Sequence, residues 1–189
     1  DGPLLDADGA GEEVRHYLDL QVKSGPDRVL KAMNRKHTAA SYLRLIDRIR
    51  AARPDLLLSG ECIVGVPGET DADVEDTMAL VKAVGFGQAY SFKYSARPGT
   101  PAAEREEVAE DVKNDRLQRL QAFLKDQQRA AQDAMVGKSV HVLFEKPGRE
   151  PGQWIGKSDH LHAVHVTSDA VGVGDLAPVE IIDSGSNSL

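Results

Sequence analysis

The sequence predicts an incomplete, TIM-like α/β barrel, of which only the C-terminal half is present, followed by a small all-β barrel of the OB-like size. Two observations support this. As far as residue 134, buried strand-like runs alternate with helix-like segments, which is the order of a parallel sheet with right-handed crossovers. From residue 135 onward, short strand-like segments are separated by Gly and Pro turns. The predicted domains are therefore residues 1–134 and 135–189.

The first predicted strand covers residues 16–23, where apolar and polar side chains partly alternate. A helix is predicted from Asp27 to about Asn34, because Pro26 and Asp27 are typical of a first helical turn. Thr38 is a suitable N-cap for a second helix. The apolar side chains of that helix recur at helical spacing and define one buried stripe: Tyr42, Leu45, Ile46 and Ile49.

Two further strands and helices follow. The dense apolar run Leu56–Val66 fits a parallel strand that is buried on both faces. Thr70 then caps a helix that ends at Gly85, where a left-handed residue is expected. Residues Gln88–Ser95 alternate as a third strand, and a long helix covers roughly Glu107–Met135.

Three parallel strands are too few to close a barrel. A half barrel leaves the inner face and one edge of its sheet uncovered, which is unfavourable for an isolated domain. The chain also begins at Asp1 rather than at Met. We therefore expect an N-terminal domain upstream that completes the barrel.

The composition excludes several classes of protein. No apolar run approaches the roughly 18 residues of a membrane span, so no membrane partner is expected. Cys62 is the one cysteine of the sequence, which excludes an internal disulfide and any metal site built from several thiolates. A single thiol and no apparent secretory signal indicate a cytoplasmic protein.

The net charge of −7 argues against general polyanion binding, but the charge is unevenly distributed. Between Lys23 and Arg53 there are nine Lys or Arg residues and only two acids. This segment fits either a solvated helical surface or a surface that faces phosphate groups.

Four segments of the chain together resemble one family. They are SG (24–25) with DRVLKAMNRKHT (27–38), IVGVPGET (63–70), FKYSARPGTPAA (92–103), and GREPGQ (148–153) with NSL (187–189). The first three resemble the later barrel strands and loops of radical-SAM methylthiotransferases, and the fourth resembles their TRAM domain. Residues 92–100 are more similar to the tRNA-modifying (MiaB-like) branch than to the branch that modifies a ribosomal protein.

The resemblance implies an enzyme in which a [4Fe-4S] cluster, bound by three cysteines, cleaves S-adenosylmethionine. A second [4Fe-4S] cluster in an N-terminal domain takes part in sulfur insertion. The product is a 2-methylthio group on an N(6)-isopentenyladenosine next to the anticodon of tRNA, and the complete enzyme is expected to be a monomer.

None of the cluster cysteines lies in this chain. Cys62 alone cannot hold a cluster, and we expect it to be a small buried apolar residue. The 189 residues should therefore be inactive alone, with no catalytic residue and no metal ligand. Their expected contribution is part of the cofactor pocket and the binding of tRNA.

The resemblance and the strand ends suggest six contacts of S-adenosylmethionine, since barrel enzymes bind ligands at the C-terminal ends of their strands. They are Ser24, Gly25, Ile63, Val64, Gly65 and Arg97. Ser24 fits either a hydrogen bond to the cofactor or a helix cap, and Gly25 allows the backbone to approach. Residues 63–65 fit contacts to the adenine, although Ile63 and Val64 equally fit the core. Arg97 fits either an anion contact at the barrel mouth or an exposed surface position.

Several residues near the expected cofactor turn depart from the family. The family usually has His, Pro, Gln and Ser where this chain has Asp19, Gln21, Lys23 and Pro26, and it usually has Phe in place of Val66. The change to Lys23 places a cation in the expected cofactor turn, and together the departures predict an altered pocket.

The C-terminal domain offers five candidate RNA contacts: Lys138, Lys146, Arg149, Trp154 and Lys157. Residues 132–189 contain eight acids and only these four cations, so a basic face must be local. Trp154 fits either stacking on a base or packing inside a small barrel.

The spacing of His160, His162 and His165 raises the question of a metal site. The first two share one face of a strand, so a metal pair is conceivable. No partner except Asp159 has a suitable spacing, which favours solvent-facing histidines. A group of acids likewise fits a solvated helix start better than a cation site: Asp71, Asp73, Glu75 and Asp76.

Two other functions are compatible with the sequence. The chain could be a non-catalytic, truncated module that only binds RNA, which an upstream Cys-x-x-x-Cys-x-x-Cys motif would exclude. It could also belong to the branch that modifies a ribosomal protein, which a comparison of tRNA and protein substrates would decide.

Overall fold

The computed structural model describes residues 16–189. Asp1 lies outside these residues. The described chain divides into two compact units, Asp19–Gln128 and Arg129–Leu189, and the short segment up to Leu18 belongs to the second unit. The predicted boundary between residues 134 and 135 stays a prediction.

The first unit contains β2 and β3 of a three-stranded sheet with the order β1-β2-β3, and β1 crosses the boundary between Leu18 and Asp19. The strands are β1 (Tyr17–Asp19), β2 (Leu57–Val64) and β3 (Gln88–Lys93). Strands β2 and β3 are parallel, with Ser59 opposite Gln88. Strand β1 is shorter than the predicted 16–23, although the chain still bonds to β2 at Leu20 and Lys23 and turns at Lys23, whose φ is 73°.

Four α-helices accompany this sheet. They are α1 (Asp27–Ala32), α2 (Ala39–Ala52), α3 (Asp71–Val84) and α4 (Glu110–Asp133), and a short 3-10 helix covers Pro101–Glu104. The β-α-β-α order predicted from the sequence is confirmed. None of the helices in the described part is long and apolar enough to cross a membrane.

The helix caps follow the predicted side chains. The Thr38 hydroxyl accepts a hydrogen bond from the Ser41 N–H, which begins α2, and Thr70 and Asp73 form the same reciprocal box at the start of α3. Helix α3 ends at Gly85 with a φ of 64°. Helix α1 begins at Pro26 without any side-chain cap, so Ser24 does not cap it.

The core of the first unit lies on one face of the sheet. Alternate residues of β2, such as Leu58 and Cys62, are buried there, while Glu61 and Ile63 on the opposite face are only half-buried. On that opposite face Tyr90 is 50% exposed and Phe92 is 49% exposed. The part of this opposite face near Glu61 and Ile63 is therefore only partly covered, as a half barrel predicts, whereas Leu57 and Ser59 on the same face are buried.

The second unit contains four antiparallel strands in the order β6-β5-β4-β7. They are β4 (Ser139–Pro147), β5 (Gln153–Ser158), β6 (Ala163–Thr167) and β7 (Leu176–Glu180). Ser188 pairs with Ala163 beyond β6. Within the described residues, the strand pairs do not close into the predicted barrel. The core is formed by alternate side chains such as Val142, Phe144 and Val164.

Candidate cofactor and RNA sites

The C-terminal ends of the three parallel strands meet at one edge of the sheet. The N–H group of Ile63 donates to the carbonyl of Lys23 at 2.8 Å, and the N–H group of Tyr94 donates to the carbonyl of Val64 at 2.8 Å. These bonds join the turn after β1, the end of β2 and the end of β3. They bring five of the six predicted cofactor residues, Ser24, Gly25, Ile63, Val64 and Gly65, to the same edge.

The sixth predicted cofactor residue, Arg97, lies three positions beyond Tyr94 and is exposed. Its carbonyl accepts hydrogen bonds from the N–H group and the hydroxyl of Thr100, at 3.2 Å and 2.8 Å. These bonds shape the turn that follows β3. The position fits the surface interpretation of Arg97 as well as the anion contact.

Ser24 and Gly25 pack tightly against α3. Ser24 is fully buried, and its hydroxyl lies 3.4 Å from the Thr77 hydroxyl. The N–H group of Gly25 donates to the same Thr77 oxygen at 2.9 Å. A Cβ atom at position 25 would lie 2.5 Å from the carbonyl oxygen of Asp76. The small size of Gly25 therefore permits close packing of this turn on the helix.

Gly65 is also fixed by contacts with neighbouring side chains. Its φ of 76° is in the left-handed region, and a Cβ atom there would collide with the side chain of Lys113. Its N–H group donates to Oε1 of Glu69 at 2.8 Å. Burial raises the pKa of Glu69, although Arg116 lies 3.2 Å from the same carboxylate oxygen and opposes that shift. The turn after β2 is thus fixed by α4.

The cation that the sequence places in the cofactor turn is paired. The Lys23 ammonium donates to Oε1 of Glu61 at 2.6 Å, and only 7% of the Lys23 side chain is exposed. This ion pair was not predicted from the sequence. The available signal was Glu61 itself, the single acid within the apolar run 56–66.

Cys62 has the environment of a core residue, as predicted. It is fully buried, and burial, followed by the nearby charge of Glu61, raises its thiol pKa to about 12. The thiol is therefore neutral at physiological pH. A neutral, buried thiol is typical of an unreactive core cysteine.

The candidate RNA contacts of the second unit do not form one cluster. Lys138 precedes β4, whereas Lys146 lies at the other end of that strand and Arg149 in the following turn. Lys157 lies on β5, and its ammonium group is 3.4 Å from the carbonyl oxygen of Leu161. All four cations are exposed. Lys146 and Arg149 are the pair that shares one end of the sheet.

Trp154 is positioned as a packing residue. It contacts the core of the second unit, and its indole N–H donates to the carbonyl of Ser168 at 3.0 Å. This geometry favours packing over base stacking, because the ring is partly buried and its one donor is used.

The cations of the basic segment between Lys23 and Arg53 fall into two groups, those that bind within the first unit and those that are exposed. Some of its cations bind within the first unit; for example, Arg50 donates to the carbonyl of Val84 at 2.6 Å. Others are exposed on α1, on α2 and on the loop between them: Lys31, Arg35, Lys36, Arg44 and Arg48.

The predictions for the two titratable clusters need correction. Asp71, Glu75 and Asp76 are exposed as predicted, but Asp73 is buried, and its carboxylate accepts hydrogen bonds from Thr70 and Arg28. His162 is not solvent-facing: both ring nitrogens are buried, and burial lowers its pKa to about 4. His160 and His162 lie in the turn before β6 rather than on a strand, and only His165 is exposed as predicted.

Comparison with known proteins identifies two segments of the chain. Residues 7–81 match the Radical SAM superfamily, and residues 133–189 match the TRAM domain. Radical SAM proteins use S-adenosylmethionine and iron–sulfur chemistry, and a TRAM domain suggests RNA binding.

The predicted resemblance to methylthiotransferases is also confirmed. The chain is 64% identical over 186 residues to a tRNA-2-methylthio-N(6)-dimethylallyladenosine synthase of Cereibacter sphaeroides (strain ATCC 17023), covering 98% of this chain and 43% of the relative. A protein of the same name from Jannaschia sp. (strain CCS1) is 64% identical over 187 residues, covering 98% and 40%. The chain thus spans less than half the length of these relatives.

A solved structure supports the radical SAM fold. The coproporphyrinogen III oxidase HemN of Escherichia coli, a radical SAM enzyme, matches with a TM-score of 0.54 and 21% sequence identity. The match covers 67% of this chain and 30% of that one. At this identity, the comparison concerns the fold alone.

Proposed function

We propose that the chain is part of a tRNA methylthiotransferase that adds a 2-methylthio group to N(6)-isopentenyladenosine next to the anticodon. The observation that carries the proposal is 64% identity over 98% of the chain to proteins of that name. Radical SAM and TRAM segments in one chain support it. The activity belongs to the longer protein, because this chain spans only 43% of the relative.

The residues of this chain do not fit an iron–sulfur cluster. A cluster of this class requires several thiolates, and Cys62 is a single, buried, neutral thiol. Both clusters of the proposed enzyme would therefore be bound by residues that this chain lacks, and no step of cluster chemistry is assigned to it.

The same residues fit part of a binding surface for S-adenosylmethionine. Ile63 is half-buried on the partly covered face of the sheet and can contact an adenine ring. Ser24, Gly25 and Gly65 would contribute chiefly through the shape of the edge, because their polar groups and close contacts are used by α3 and α4. In this proposal Val64 supports the strand from the core, and Arg97 lies in the loop at the mouth.

The TRAM domain would supply tRNA binding in this proposal. Lys146 and Arg149 are the strongest candidate phosphate contacts, because both are exposed at one end of the sheet. Lys138 and Lys157 are separate exposed cations that could contact more distant phosphates. Trp154 would stabilise the domain rather than stack on a base.

One observation favours the alternative of a non-catalytic RNA-binding module. The Lys23–Glu61 ion pair occupies the turn in which the family usually has Gln, so the cofactor edge of this chain differs from the family pattern. The branch that modifies a ribosomal protein receives no comparable support, since the close relatives described above are named as tRNA enzymes.

A chimaera tests the enzymatic proposal. The N-terminal part of the Cereibacter sphaeroides relative would be joined to this chain and expressed in a bacterium that lacks its own methylthiotransferase. Methylthiolated nucleosides from total tRNA would be quantified by mass spectrometry, with the intact relative as positive control. We expect methylthiolated nucleoside well above the background of the empty strain.

The variant Lys23→Gln in the same chimaera separates the two functions. Modification by both chimaeras supports the enzyme. A folded chimaera that binds tRNA but modifies none, in either form, would reject the enzymatic proposal and support the RNA-binding module. Recovery of modification only with Lys23→Gln would show that this chain has lost activity through the altered turn.

Binding of tRNA by this chain is tested directly by fluorescence anisotropy. The ligands are an anticodon stem-loop containing N(6)-isopentenyladenosine and an unrelated hairpin of equal length. Lys146→Ala with Arg149→Ala should weaken binding and reduce the salt dependence by about one phosphate contact for each residue. Trp154→Phe is the matched control, which should bind as the unmodified chain does. Equal affinity for both RNAs would contradict specific tRNA binding.

A further inference from the structure

Four of the six histidines of the chain gather around one carboxylate in the second unit. His16, His141 and His160 have ring nitrogens near the carboxylate of Asp159. The ring of His162 stacks on that of His160, with centroids 6.2 Å apart. This cluster is distinct from the cofactor and RNA residues described above.

Asp159 is fixed by its backbone as well as by its side chain. Its N–H group donates to the carbonyl of His141 at 3.1 Å, and its carbonyl accepts a hydrogen bond from the N–H group of His16 at 3.2 Å. The turn between β5 and β6 is therefore tied to β4 and to the segment before β1. A carboxylate held in this way can act as a preorganised ligand.

The ligand atoms of three side chains converge. Nδ1 of His160 lies 2.9 Å from Oδ1 of Asp159, and Nδ1 of His16 lies 3.6 Å from Oδ2. One ligand atom from each of His16, Asp159 and His160 lies within 4.8 Å of the other two. Ligands bound to one tetrahedral Zn²⁺ lie about 3.4 Å apart, so small side-chain rotations would bring these three into range.

We propose that His16, Asp159 and His160 form a binding site for a divalent transition-metal ion of the Zn²⁺ class. His141, with Nδ1 3.9 Å from Oδ2 of Asp159, is placed to supply a fourth ligand. Imidazole and carboxylate ligands suit Zn²⁺, whereas an iron–sulfur cluster requires thiolates. The bound ion would pin the segment at His16 to the β5–β6 turn. This inference does not depend on the proposed methylthiotransferase function.

The three side chains of the cluster are partly exposed to solvent. The side chains of His16, Asp159 and His160 are 35%, 22% and 14% exposed. The rival account is an Asp–His hydrogen-bond network with no metal affinity. The two accounts differ in whether Zn²⁺ binds at one equivalent and in which histidines it protects.

Isothermal titration of the tag-free, EDTA-treated chain with Zn²⁺ is the first test. We expect one ion per chain, and His16→Ala or His160→Ala should each weaken the affinity by about tenfold or more. His165→Ala is the matched control, because that imidazole is exposed on β6 outside the cluster. Absence of one-to-one binding, or an equal loss in His165→Ala, would overturn the proposal.

A second test needs no substitution and so does not depend on folding of the variants. Histidines of the unmodified chain are acylated with diethylpyrocarbonate, with and without one equivalent of Zn²⁺, and the modified positions are mapped by mass spectrometry. We expect Zn²⁺ to protect His16 and His160 and to leave His165 as reactive as before. Equal modification of His16 and His160 with and without the ion would reject the site.

Discussion

The ammonium group of Lys23 lies 2.6 Å from Oε1 of Glu61, across the edge where the chain after β1 meets β2. Lys23 adopts a φ of 73° at this point and pairs with Cys62 through an isolated parallel bridge. The ion pair therefore forms at a residue in the left-handed conformation, which residues other than glycine adopt rarely. It neutralises the charge that the sequence places in the cofactor turn.

Removal of one partner of this pair should destabilise the first unit. We expect Lys23→Met to lower the free energy of unfolding by about 2 kcal/mol, because a mostly buried carboxylate loses its cation. The double variant Lys23→Met with Glu61→Leu should lose less than the sum of the single changes. Urea denaturation measures all three, and Lys31→Met is the exposed control. Additive losses would show that the two side chains are not coupled.

Asp73 should make stability depend on pH. Burial disfavours its charge, but hydrogen bonds from Thr70 and Arg28 outweigh that effect and hold the pKa of Asp73 below its ordinary value. Because the folded pKa lies below the unfolded value, the stabilisation is complete above the unfolded pKa and is lost as pH falls through the folded pKa. Asp73→Asn should cost about 1–2 kcal/mol at neutral pH.

The gap between the unmodified chain and Asp73→Asn should close as the solution is acidified below the unfolded pKa. Urea denaturation at a series of pH values measures this gap. Asp76→Asn, an exposed change in the same helix, is the control and should show little effect. A gap that stays constant with falling pH would contradict the assigned role of Asp73.

Gly25 should tolerate a methyl group less well than Gly68. Gly25→Ala would place Cβ 2.5 Å from a backbone oxygen of α3, so we expect a loss of about 2–3 kcal/mol in the free energy of unfolding. Position 68 has a φ of 83° but open space around it, so Gly68→Ala should cost about 1 kcal/mol. Thermal and urea denaturation compare the two. Equal losses would mean that the turn can move away from α3.

Cys62 should be unreactive in the folded chain. Its full burial and a thiol pKa of about 12 leave almost no accessible thiolate. We expect no labelling by a thiol-reactive disulfide under native conditions and one equivalent in guanidinium chloride. Spectrophotometric thiol titration measures both. Rapid native labelling would show that the β2 core opens readily.

The helix starts were the most predictable part of the fold, because they depend on neighbouring residues in the sequence. Thr38 and Thr70 cap the helices that the sequence assigns to them, and Gly85 ends α3. Strand lengths were less predictable. Strand β1 ends at Asp19 rather than at residue 23, and Lys23 pairs with Glu61, a contact between residues 38 positions apart that local patterns do not record.

The candidate sites were predictable in position but not in detail. The rule that barrel enzymes bind ligands at strand ends, together with the family resemblance, predicted that Ser24, Gly25 and Gly65 lie at one edge of the sheet. Neither could show that the N–H group of Gly25 already donates to Thr77 and that of Gly65 to Glu69. The spacing of His160, His162 and His165 favoured solvent-facing histidines, whereas the structure places a cluster of histidines around Asp159. The ligands nearest Asp159 include His16 and His141, which are distant in sequence.

The sequence by itself determined the order of the elements, the helix caps and the family resemblance, because these depend on local patterns and on shared motifs. It also determined the change near residue 134 from alternating strands and helices to short strands separated by Gly and Pro turns. The tertiary structure decided which charges are paired, which histidines converge on Asp159 and which glycines are required by close packing. Those outcomes depend on contacts between residues far apart in the chain, which local patterns do not record.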